Sequence, residues 1–142
     1  MKKKLSITIL TFFIGIIQTF SQSSTYNIDP TTHQITNWNT RYNFNYAYTY
    51  DFDLKQSSQA YQTSCIVVVE ILNDGTGRLV SSMSGDKGVL SILSCHLYDT
   101  YYEFKSLNNY GKKVTSRLGI TNNYIDKFWT LTDNNTAIVF SN

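Results

Sequence analysis

From Arg41 to Leu54 large and polar residues alternate without a break. Tyr42, Phe44, Tyr46, Tyr48, Tyr50, Phe52 and Leu54 fall on one face, and Asn43, Asn45, Ala47, Thr49, Asp51 and Asp53 on the other. A period of two held this long belongs to an extended strand and not to a helix. A strand of about 14 residues spans roughly 45 Å, which a small domain accommodates most easily when the strand coils around a barrel.

The remaining pattern is a series of short strands punctuated by turn chemistry. Cys65 to Leu72 is dense in β-branched residues and predicts a strand buried on both faces for much of its length. Asn73 to Gly77 predicts a tight turn and Arg78 to Met83 its returning partner, followed by a second turn at Ser84 to Gly88. Val89 to Leu97 fits either a strand or a short helix presenting Leu90, Leu93 and Leu97. Tyr101–Leu107, Lys112–Ile120, Tyr124–Leu131 and Thr136–Phe140 predict the last strands, with Val114, Ser116 and Leu118 sharing one side. A shared Leu-x-Asp frame at Leu72–Val80 and Leu131–Val139 indicates one turn chemistry used twice. About eight mostly antiparallel strands with short connections imply an all-β meander closed into a small barrel. A two-sheet sandwich is the second choice. In strand rhythm and Asp-Gly hairpins the chain resembles lipocalin-like barrels in architecture alone, which assigns no function.

The first residues follow a different pattern. Met1-Lys2-Lys3-Lys4 is basic, Leu5 to Ile17 is apolar, and small residues at Thr19 and Ser21 precede Gln22. This arrangement predicts a cleavable signal peptide over residues 1–21. Its apolar stretch of about 13 residues is short of the roughly 20 that a spanning helix needs, so no membrane span is expected in the mature chain. The expected location is exported, periplasmic or extracellular. Residues 22–40 form a polar N-terminal arm holding the only proline, and residues 41–142 a single β domain.

Export changes the meaning of charge and cysteine. The chain has 12 Lys and Arg against 10 Asp and Glu; without Lys2, Lys3 and Lys4 the balance is nine against ten, a formal charge of −1. Nucleic acid is therefore not an expected partner. An even pair of cysteines in an exported chain predicts a Cys65–Cys95 disulfide, stabilising by about 3 to 4 kcal/mol on the chain-entropy account. In a flat meander the two would lie about 10 Å apart, beyond the roughly 7 Å a disulfide allows.

Catalytic chemistry finds little footing. His33 and His96 are the only histidines, and neither neighbours a nucleophile in a usable arrangement; Cys95 and His96 point to opposite faces of a strand. His96, Asp99 and Glu103 match no recognised metal spacing. Asp51 and Asp53 share a strand face with Asn43, Asn45 and Thr49, the mark of a solvated surface more than of paired catalytic carboxylates. Asp74-Gly75-Thr76-Gly77 lacks the Lys and helix of a phosphate loop. No enzyme activity, cofactor or metal is expected. The distinctive feature is aromatic: the stripe is either the inward face of a long strand that fills the barrel or a binding surface, for which Tyr42, Tyr46, Tyr48, Tyr50 and Trp129 are the candidate residues, toward a small apolar ligand or a glycan. The rival expectation is a structural or interaction module, adhesive or inhibitory, engaging a protein through an edge strand or loops.

Overall fold

The computed structural model describes residues 25–132 and 134–142. The expected leader and its cleavage point lie outside the described residues. Within them the chain is all β, with eleven strands: β1 (Asn27–Ile28), β2 (Ile35–Thr36), β3 (Trp38–Asp51), β4 (Gln56–Ser57), β5 (Tyr61–Ile71), β6 (Gly77–Met83), β7 (Asp86–Leu97), β8 (Tyr101–Leu107), β9 (Lys113–Thr121), β10 (Tyr124–Leu131) and β11 (Thr136–Ser141).

Each strand from β5 to β11 pairs antiparallel with the next, β3 pairs with β5, and β11 returns to β3 over Thr136–Ser141 and Tyr46–Asp51. The meander is thus a closed eight-stranded barrel, and β4 is an added strand on the end of β3. Closure leaves no long free edge among the described residues, which is how such a sheet avoids presenting unpaired backbone. Val89 to Leu97 is strand, within β7.

The tight turns follow their residue types. Leu72 N donates to Thr76 O and Thr132 N to Thr136 O, each at 2.8 Å, with Gly75 (φ 88°) and Asn135 (φ 55°) supplying the left-handed residue in the two corresponding turns. The two turns are alike, but the match pairs Leu72 with Thr132 and Gly75 with Asn135, one residue out of step with the shared Leu-x-Asp frame.

β5 departs from expectation. Cys65, Val67, Val69 and Ile71 are buried, whereas Ile66, Val68 and Glu70 are only half-buried. Only one face of this strand meets the core, because a barrel of single-layer wall has solvent outside. The β-branched run therefore reflects strand preference on both faces and core packing on one.

The core fills the barrel axis with aromatic and aliphatic side chains, Trp38, Tyr42, Phe44, Phe104, Leu118, Phe128 and Phe140 among them. Phe140 joins Phe128 and Phe44 at ring-centre distances of 5.8 and 6.5 Å, and Trp38 stacks on Phe104 at 6.3 Å. Such rings bury large areas each, so they dominate the stability of a domain this small.

The polar arm is part of this structure from residue 25 onward. It carries no repeating period because it plugs one barrel end with single side chains. Ile35 and Trp38 are fully buried, Leu97 N donates to His33 O at 3.0 Å, and Asn37 N donates to Leu72 O at 3.1 Å. Asp29 shapes its turn by accepting from Thr31 N and Thr32 N, and these two hydrogen bonds hold its carboxyl below the usual carboxylate range.

Candidate functional site

The aromatic stripe of β3 does not lie on one face. Tyr42 and Phe44 are buried in the core opposite Val67 and Cys65. At Asn45–Tyr46 the register with β5 shifts, two consecutive residues are exposed, and Ala47 becomes the buried one. Ala47 is paired with Phe140, a core residue, so it faces inward. Directly opposed residues share a face. Tyr46, Tyr48 and Tyr50, opposite Ser141, Val139 and Ala137, therefore face outward. The irregularity moves three of the five candidate residues from the interior to the outer wall. Tyr42 is a core residue and does not join them.

Trp129 does join them. Across the wall the register aligns Glu103, Arg117, Trp129, Val139 and Tyr48 in one row through β8, β9, β10, β11 and β3. The flanking rows place Leu131, Ala137 and Tyr50 on one side and Gly119, Lys127, Ser141 and Tyr46 on the other. Ala137 and Val139 lie on the outer face yet are buried, so they are the floor on which Tyr48, Tyr50 and Trp129 rest. Tyr46 keeps 39% of its surface exposed, and Tyr50 leans edge-on against Phe52 at 5.0 Å. The Trp129 ring lies over Gly119, where a Cβ would come within 3.1 Å of it. A side chain at 119 would lift the indole off the sheet.

The polar end of the row is held in place. Glu103 accepts from Arg117 Nε at 2.9 Å and pairs with Arg117 Nη2 at 2.8 Å and Lys105 Nζ at 3.3 Å. Burial pushes the Glu103 carboxyl up, but the hydrogen bonds from Arg117 and Lys105 outweigh it and hold the group below the usual carboxylate range. Arg117 also lies 4.5 Å above the Tyr101 ring, a cation–π contact. Arg117 and Gly119 carry no local mark in the sequence, since their place in the site comes from cross-strand register alone.

The other candidate groups have structural duties. Asp51 Oδ1 accepts from Asp53 N and Leu54 N, and Asp53 Oδ1 accepts from Asn135 Nδ2 at 2.7 Å; both carboxylates tie down the β3–β4 turn. Asp74 accepts from the hydroxyl and N–H of Thr76, which lower its pKa. Cys65 and Cys95 are buried free thiols and not the expected disulfide. They lie on β5 and β7 with β6 between, facing the core beside Phe44 and Phe104. Burial pushes both thiols up, so neither is poised as a nucleophile. No helix among the described residues is long and apolar enough to cross a membrane. Compared with protein-family models, curated proteins and solved structures, the chain matches none of them.

Proposed function

We propose that this protein is an exported, non-catalytic barrel that binds a glycan on its outer wall, through Tyr46, Tyr48, Tyr50 and Trp129. The observation that carries this reading is the break at Asn45–Tyr46, which turns the β3 tyrosines outward next to Trp129 across Val139. Ring faces held on a rigid sheet suit the C–H faces of sugar rings, and they lose little side-chain freedom on binding. Around them stand hydrogen-bonding groups able to reach sugar hydroxyls: Gln62, Ser141 and Lys127 by register, and Arg117, whose guanidinium is already oriented. Closure of the barrel removes the long edge strand that a protein-capturing module would use, so the interaction reading rests on loops alone.

Affinity electrophoresis through gels containing soluble plant, bacterial or mucin-type polysaccharides tests this. Retardation by at least one polysaccharide is expected, with Trp129→Ala and Tyr48→Ala each losing it while melting within a few degrees of the parent chain. A parent chain that migrates freely through every gel sinks the reading. Retardation that survives both substitutions moves the site elsewhere.

A further inference from the structure

Side chains facing into the barrel change in size from one end to the other. Toward the end plugged by Ile35, the interior holds Trp38, Tyr42, Tyr102, Leu118 and Phe128, all buried. Toward the opposite end six inward positions are small, Ala47, Ser81, Gly88, Ser106, Ser116 and Thr130, set among the larger Tyr61, Met83 and Leu90. Register places them inward: Ser116 opposes Phe104 and Thr130, Ser106 opposes Ile92 and Val114, and Ser81 opposes Val67 and Gly88. Beyond them Thr49 and Ile138 oppose each other on the inward face, yet both are exposed, Ile138 at 43%. An inward residue that meets solvent marks an open mouth. An eight-stranded barrel has interior room for its own side chains or for one small ligand, so small residues in one half favour the latter there.

The floor of this half is polar and neutral. Ser116 Oγ and Thr130 Oγ1 are 3.0 Å apart. Ser106, 1% exposed, has a buried Oγ with no hydrogen-bond partner among the described residues. A buried hydroxyl left without a partner is costly, and native proteins seldom keep one without a use. Above it stand Met83, Leu90 and Val114, half-buried. Tyr61 Oη donates to Met83 Sδ at 3.3 Å, and this unbranched thioether can move aside for an entering group. The charged inward residues, Asp51 and Asp86, sit at the strand ends, and Asp51 is occupied by its own turn.

We infer that this open end is a binding site for a small neutral amphiphile. Its apolar body lies among Met83, Leu90, Val114 and Ile138, and its hydroxyl or carbonyl end bonds to Ser106. The site is separate from the outer aromatic wall, and either can fail without the other.

Octan-1-ol is the probe, titrated into the full chain while methyl resonances are followed by NMR, with octanoate as the charged control. Saturable shifts are expected at Met83, Leu90, Val114 and Ile138, with weaker binding of octanoate. Ser106→Ala should bind the alcohol about 2- to 10-fold more weakly, the worth of one neutral hydrogen bond, and melt no lower than the parent. Thr49→Trp, at the exposed mouth and harmless to the core, should block the shifts. Three results overturn the proposal: no saturation up to the solubility limit of octan-1-ol, shifts centred on the Trp129 indole instead, or unchanged affinity in Ser106→Ala.

Discussion

The hydroxyls of Tyr26 and Tyr102 meet at 2.9 Å, joining the N-terminal segment to β8 across 76 residues of sequence. Tyr26 also packs edge-on against Trp38 at 5.3 Å and Tyr102 at 5.8 Å, so ring and hydroxyl together seal the barrel end. Burial first, and then the bond to Tyr26, push the Tyr102 phenol well above its ordinary range. Tyr26→Phe keeps the ring and leaves the buried Tyr102 hydroxyl without this partner. It should lower unfolding free energy by about 1 to 2 kcal/mol. Tyr26→Phe combined with Tyr102→Phe should cost less than the two single changes added together. Urea denaturation of the four chains measures this, and strict additivity would show that the hydroxyls are not coupled.

Gly77 is the tightest point of the β5–β6 hairpin. A Cβ there would come within 1.8 Å of the Glu70 carbonyl oxygen, on a backbone that cannot rotate away. Gly77→Ala must push the two strands apart and should destabilise by about 2 kcal/mol or more, lowering the melting temperature by roughly 5 to 10 °C. Gly85, in the next turn, meets nothing within 4 Å but has φ of 90°. Gly85→Ala should cost only the conformational strain, about 1 kcal/mol. A reversed order of the two melting temperatures would contradict the hairpin geometry.

Much of this fold is legible in the sequence. The strands and turns are, because a period of two and the Asp, Asn and Gly of tight turns act locally: β10 spans the expected Tyr124–Leu131, and Gly75 and Asn135 each supply the left-handed residue of a tight turn. The break in β3 is not legible, because the alternation runs through Asn45 and Tyr46 undisturbed. What reverses the faces is the fit of Ala47 against Phe140 at the seam where the barrel closes, a contact made between distant parts of the chain. The plug is hidden for a related reason: Ile35 is a single anchor with no period, and Trp38, in step with Tyr42 on the inward face of β3, is cut off from the aromatic alternation by Thr40. The expected disulfide follows from export and an even cysteine count, whereas the expected meander already sets a strand between the two cysteines, and the closed barrel keeps that order.

Glu103 links the candidate wall to pH. Its folded pKa lies below the ordinary value of 4.5, so the carboxylate form is favoured by folding. Such a group stabilises the protein above its unfolded pKa, and the contribution is lost as pH falls through the depressed folded value. Glu103→Gln should therefore destabilise by about 1 to 2 kcal/mol at pH 7, with Arg117 left half-paired beside it. The gap to the parent chain should narrow only as pH falls below the ordinary carboxylate range and through the depressed folded value, where both chains become neutral at this position. Denaturation curves at pH 7, 5 and 3 measure it. A gap that stays constant with pH would mean that the carboxylate is not what holds Arg117.

The two tryptophans report opposite sides of the wall. Trp38 is 1% exposed beneath the plug, whereas Trp129 lies on the outer face above Gly119 with its surface half-open. In Trp129→Phe the remaining indole should emit at short wavelength and resist iodide quenching. In Trp38→Phe the remaining indole should emit further to the red and be quenched readily, and this chain should be less stable by about 1 to 3 kcal/mol for the volume lost from the core. Gly119→Val in the Trp38→Phe background lifts the indole from the sheet and should increase quenching further. If the single Trp129 resisted iodide as strongly as Trp38, Tyr48 and Tyr50 would have to cover it. The outer wall would then be a closed aromatic cluster with no ring face free to receive a sugar.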